Sequence, residues 1–154
     1  MTAIHEIPDA ERRAEICAGV LRDLPDWFGI EAATQDYIEK AKSAPFFAAY
    51  GGDTAVAFIY LHVHNSYTVE LYCMGVLARY HRSGIGRLLL SAAERYSRER
   101  EFKFITVKTL ADTHPDEGYK KTREFYLATG FVPLEVFPEL WGEENPCLFL
   151  AKSL

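Results

Sequence analysis

The stretch that decides the fold is Cys73-Met-Gly-Val-Leu-Ala-Arg-Tyr-His-Arg-Ser-Gly-Ile-Gly-Arg-Leu-Leu-Leu90. It begins as the end of an apolar strand, passes through a basic turn and enters an amphipathic helix. Apolar residues recur at helical spacing at Ile85, Leu88, Leu89, Ala92 and Tyr96, which leaves Arg87, Glu94, Arg95 and Arg98 for the outer side. A helix N-terminus has unpaired N–H donors and a partial positive charge, so it can hold a phosphate. Gly84 and Gly86 leave those donors uncovered. Arg79, His81, Arg82 and Arg87 surround them, and no acidic residue falls between positions 79 and 87. Residues 81–87, with Ser83 and Ile85 inside the turn, read as a strand–turn–helix cradle for a pyrophosphate.

Two other glycine motifs fit less well. A dinucleotide fingerprint needs a third glycine where Leu89 stands, and a P-loop needs Lys-Ser/Thr where Arg87-Leu88 stands.

Working outward, 154 residues suit one domain with a core of its own. The net charge of -5 disfavours nucleic acid as the main partner, since that footprint is strongly basic. The basic turn therefore stands against an acidic background. Cys17, Cys73 and Cys147 are scattered and odd in number, which suits reduced thiols in a cytoplasmic protein and no metal knuckle. The N-terminus lacks the pattern of a signal peptide, and no stretch is apolar enough to span a bilayer.

The order of elements reads as follows. A short strand covers residues 2–7, and Pro8-Asp9 opens a helix to about Leu21. Leu24-Pro-Asp-Trp-Phe-Gly29 breaks the chain, with Trp27 and Phe28 either a lid on the core or one wall of a pocket. A second helix covers about 32–42, with Thr34 as its N-cap. Strands at 46–50, 54–64 and 67–76 form an antiparallel meander. In the last of these, Thr68, Glu70, Tyr72 and Met74 face one way, and Gly75 marks a bulge or a close backbone approach. After the glycine-turn helix, a strand at 103–109 lies parallel to the 67–76 strand through a right-handed crossover. Antiparallel pairing before that point and parallel pairing after it splay the two strands, and ligands bind at such crevices. A helix to about Thr129, closed by Gly130, and strands at 131–137 and 147–152 complete an α/β (α+β) domain.

The turn resembles the acyl-coenzyme A binding motif of the GNAT superfamily of N-acetyltransferases. That motif has Arg or Gln, two residues, Gly, one residue, then Gly or Ala, after a strand ending in Val. Here Val76 ends the strand, His81 holds the Arg/Gln position, and Gly84 and Gly86 follow. Phe125-Tyr126 with Gly130-Phe131 matches a second family feature, one strand and one helix later. The likeness implies one acyltransferase domain over residues 1–154, with a mixed, mostly antiparallel sheet, a splayed parallel pair and about four helices. It also implies acetyl-CoA as co-substrate, a small-molecule or peptide amine as acceptor, and no metal. Two departures stand out: His81 in place of Arg or Gln, and Tyr119 where many members place an Asn against the pantetheine arm.

The chemistry then assigns roles. The cradle, His81 to Arg87, takes the diphosphate. Backbone groups of Met74 and Val76 pair with the amide-rich pantetheine arm as an added strand would. A backbone N–H near Val76 is the oxyanion donor. Tyr126 resembles the family's general acid for the departing thiolate. An alkyl amine of pKa ~10.4 is neutral in on the order of one part in a few thousand at pH 7, so a base is expected. Glu70 is the best carboxylate for it; otherwise it faces solvent or only binds a cationic substrate. Acidic residues near the loops, Asp26, Glu31, Glu143 and Glu144 among them, lean towards a cationic acceptor. His62 and His64 share a strand face without a third metal ligand, so they are structural or line the acceptor cleft. The alternative reading is an acyl-CoA-binding regulatory domain without turnover. A homodimer through an exposed edge strand and the C-terminal strand is also expected.

Overall fold

The computed structural model describes residues 2–154. Among them, seven strands form one sheet in the order β1-β2-β3-β4-β5-β7-β6, packed with four α-helices. The strands are β1 (Thr2–Glu6), β2 (Phe46–Gly51), β3 (Thr54–Val63), β4 (Thr68–Val76), β5 (Phe104–Leu110), β6 (Val132–Phe137) and β7 (Cys147–Ser153). The helices are α1 (Ala10–Leu21), α2 (Glu31–Ala41), α3 (Ile85–Glu99) and α4 (Glu117–Ala128).

Helices cover both faces of the sheet, as consecutive residues of β2 report. Strand side chains alternate between faces. Phe46 stacks on Phe58 and lies near Tyr60, whose hydroxyl donates to the Tyr37 carbonyl of α2 at 2.9 Å. Its neighbour Phe47 points the other way, edge-on to Tyr96 of α3 at 5.5 Å. The α1/α2 layer ends near β4.

One sheet pair decides where the site lies. β4 and β5 are parallel, and their register runs only from Thr68↔Phe104 to Leu71↔Val107. Beyond that point β4 stays with β3 as far as Val76↔Ala57, whereas β5 stays with β7 as far as Leu110↔Cys147. Each strand follows its antiparallel partner, so the two diverge. Arg123 of α4, buried, fixes the far end of β5 by donating to the carbonyls of Leu110 and Ala111 at 2.9 and 3.1 Å.

Several local expectations are corrected. Thr34 is not the N-cap of α2. That position is Ile30, and Thr34 lies inside the first turns with its hydroxyl on the Phe28 carbonyl. A register shift between Tyr60 and Leu61 leaves Tyr72 as the extra residue of β4, so the simple alternation breaks there. At Gly75 the cause is close approach, because a Cβ there would sit 3.0 Å from Val20 and 3.2 Å from Phe58. On α3, Leu88 is exposed, while Glu94 is buried with its carboxylate held by Lys152 at 2.5 Å. A buried carboxylate is tolerated when its charge is paired. The C-terminal strand is not an edge: β7 lies between β5 and β6, and the edges are β1 and β6.

Candidate functional site

The cradle is built from backbone. After β4 a 3₁₀ turn at Ala78–Tyr80 leads into residues 81–84. Arg82 and Gly84 both take left-handed conformations, with φ of 62° and 83°. A non-glycine there costs roughly 1–2 kcal/mol, and such strain collects at functional turns. Left-handed residues in such a turn help to point successive N–H groups into one concavity, as in an anion-binding nest. No side chain caps α3. Among the described residues, the amides of 82–87 have no acceptor, and the first helical bond from this turn is Leu88 N–H to the Gly84 carbonyl. A Cβ on Gly86 would press to 3.3 Å from the Phe125 ring of α4, so glycine there lets α3 and α4 approach. The Ser83 hydroxyl donates to the Tyr80 carbonyl and braces the turn. Arg82 and Arg87 are exposed beside the open amides, and Ile85 is buried beneath them.

The gap beside this cradle also presents backbone. Leu77 N–H donates to the Val56 carbonyl at 2.9 Å. Antiparallel pairs alternate between bonded and non-bonded, so Val76↔Ala57 and Met74↔Ile59 are non-bonded pairs. The N–H and C=O groups of Met74 and Val76 therefore point away from β3, towards the space that β5 vacates. The Val76 carbonyl already has one donor, His81 Nε2 at 2.7 Å. His81, which departs from the expected motif, thus ties the turn to the strand end.

Two tyrosines line up differently from one another. Tyr119 donates to the Trp27 carbonyl at 3.2 Å, and a Cβ on Gly118 would meet the Trp27 ring at 3.0 Å. Trp27 also stands edge-on to His81 at 5.7 Å. The α1–α2 loop is therefore a strap between the starts of α3 and α4, which favours the lid reading of Trp27. Tyr126 is buried against Phe131 and Phe125, and among the described residues its hydroxyl makes no hydrogen bond. Burial, and to a lesser extent the nearby Cys73, pushes its pKa up, so it holds its proton through the neutral range.

On the α1/α2 face, beside the point where the strands part, lies a cleft of about 510 Å³. Its lining is His64, Asn65, Thr68, Thr106, Lys108, Phe137, Leu140 and Phe149. Glu70 is the carboxylate beneath it, and at 4% exposed it does not face solvent. Its Oε1 accepts from His64 Nε2 at 2.6 Å and from Lys108 Nζ at 3.2 Å. His62 and His64 stand 4.7 Å apart, ring edge to face, and His62 also meets Tyr72. Sequence reasoning missed Lys108. The signal was there, in a lysine at mid-strand among Ile105, Val107 and Thr109, but its partner is remote in sequence. Another hollow, of about 400 Å³, lies along the β1–β2 edge between Ala3 and Tyr50, far from this chemistry.

The chain superposes on an aminoglycoside 6'-N-acetyltransferase from Enterococcus faecium with TM-score 0.77 at 19% identity, over 98% of this chain and 96% of that one. It superposes on the PaiA N-acetyltransferase of Thermoplasma acidophilum, solved with coenzyme A, with TM-score 0.76 at 18% identity, over 100% and 99%. A ribosomal-protein-S18-alanine N-acetyltransferase from Escherichia coli gives TM-score 0.76 at 15% identity, over 99% and 94%. A search of curated proteins returned no significant sequence match. The model of the acetyltransferase (GNAT) family matches residues 3–131, most of the length, and with it the chain belongs to that family.

Proposed function

We propose that this acetyltransferase moves the acetyl group of acetyl-CoA to the amine of a small molecule or peptide, by direct attack within a ternary complex. The observation that carries the reading is the row of open amides at 82–87 beside the diverging ends of β4 and β5. When bound, acetyl-CoA supplies an activated thioester. The chain's own groups do the rest. The nest at 82–87 and the charges of Arg82 and Arg87 receive the diphosphate. The free backbone groups of Met74 and the N–H of Val76 receive the amides of the arm and the carbonyl oxygen. Tyr126, buried and protonated, donates to the sulfur as the C–S bond breaks. Glu70 takes the proton of the attacking amine, and His64, hydrogen-bonded to it and 38% exposed, connects it to solvent. Three free, buried thiols support a reducing, cytoplasmic setting.

Thermal unfolding with coenzyme A, acetyl-CoA or ATP tests the reading. Ligand at a hundred times its Kd stabilises by about 2.7 kcal/mol when only the folded state binds. That is a rise of about 5–10 °C for a chain of this size. Coenzyme A and acetyl-CoA should give it and ATP should not. Equal shifts with ATP would leave a general phosphate site. Free-thiol release with an amine panel then separates turnover from a regulatory domain that only binds.

A further inference from the structure

The charge of the acceptor cleft points to a substrate feature. An amine pocket that favours multiply cationic acceptors needs free carboxylates in its lining. Here Glu70 is already neutralised: both of its oxygens face Lys108, at 3.2 and 3.5 Å, and His64 takes Oε1 as well. Lys108 carries three N–H donors, and its two contacts with this carboxylate leave one over. Its side chain is 29% exposed against 5% for Glu70, so the charge that the cleft presents outward is the cation. The other acidic groups nearby do not answer it. Glu139, Glu143 and Glu144 are exposed on the β6–β7 loop and outside the lining, and Glu135, on the far side of Phe149, makes no ion pair among the described residues. Beside the pair, the buried hydroxyl of Thr106 has no hydrogen-bond partner. Phe137 and Phe149, 6.0 Å apart, give the cleft an apolar wall.

We infer that the acceptor is a small amine that also carries an anionic group, a carboxylate or a phosphate. That group docks on Lys108, and the body of the molecule lies on Phe137 and Phe149. The inference rests on the transferase reading and departs from the lean towards cationic acceptors drawn from sequence acidity, because Glu70, the buried carboxylate at this cleft, is already paired.

The experiment measures kcat/KM by thiol release for matched amines: phenylalanine against phenethylamine, 6-aminohexanoate against hexylamine, and phosphoethanolamine against ethanolamine. The anionic member of at least one pair should be favoured tenfold or more, and which pair responds distinguishes carboxylate from phosphate. Lys108→Met should abolish that preference, read as the ratio of kcat/KM within each pair whatever happens to the absolute rates, and Lys108→Arg should retain it. Raising salt from 0.1 to 0.5 M should raise KM for the anionic member alone, a readout that needs no variant to fold. Equal or better turnover of the uncharged members, or a preference that survives Lys108→Met, overturns the inference and leaves the transferase intact. No transfer to any amine while coenzyme A still stabilises the fold removes the transferase reading, and the inference with it.

Discussion

The cradle before α3 and the cleft over Glu70 lie within one β-strand of each other, yet they are built in opposite ways. The cradle is backbone: donors left over at a helix start, aimed by two left-handed residues, in a chain segment of a few residues. The cleft is side chains, with a carboxylate from β4, a lysine from β5 and a histidine from the end of β3. The first can be specified by local sequence and reused for any acceptor. The second depends on which residues the sheet register brings opposite one another, so it is free to differ between relatives that share the fold. Neighbours named for aminoglycosides and for a ribosomal protein superpose on this chain about equally well.

The sharpest way to break the comparison is to damage the cradle alone. Gly84 has open space where a Cβ would go, but its φ of 83° strains any other residue. Gly84→Glu adds that strain and a negative charge facing a diphosphate. Affinity for coenzyme A by calorimetry should fall more than a hundredfold, while the unfolding free energy should drop by only about 1–2 kcal/mol. Unchanged affinity would move the diphosphate elsewhere.

A smaller effect is expected where the two regions meet. Tyr126→Phe removes a hydroxyl with no hydrogen-bond partner among the described residues and leaves the ring packed on Phe131. Turnover should fall about a hundredfold, with coenzyme A affinity within about threefold. Full turnover in the variant would mean that the proton comes from another group.

The smallest effect belongs to the core that both regions share. Burial raises Cys17 to about 12 and pushes Cys73 well above its usual range. A thiol in the unfolded chain titrates near ~8.5. Stability from these groups is therefore complete below about pH 8.5 and is lost as pH rises towards the folded values. The loss should be about 1.4 kcal/mol per pH unit for each thiol ionised only in the unfolded state. Urea midpoints should be flat from pH 7 to 8 and fall above 9. A flat profile to pH 10 would show that the thiols are not desolvated in the fold.

Much of this was legible beforehand, for identifiable reasons. The glycine turn, the strand meander and the parallel crossover follow from local periodicity and turn residues. Helix α1 begins at its Asp9 cap as its sequence indicates. Other features were not legible because they depend on contacts distant along the chain. Glu94 looks like a surface residue until Lys152, 58 positions away, reaches it. Thr34 looks like a cap until the loop carbonyl of Phe28 takes its hydroxyl. His81 stood out only as a departure from the motif's Arg or Gln, and in the fold its side chain ties the turn to the Val76 carbonyl.

The amino-acid sequence by itself determined that a helix would begin at an uncovered glycine turn after an apolar strand, since steric freedom and hydrophobic period are properties of neighbouring residues. The order of elements already led to a splay between β4 and β5, and only the tertiary structure placed it after Leu71, where each strand goes on with a different partner. The tertiary structure alone decided that Glu70 is buried against Lys108 and His64, because pairing across a sheet joins residues that the chain order keeps far apart.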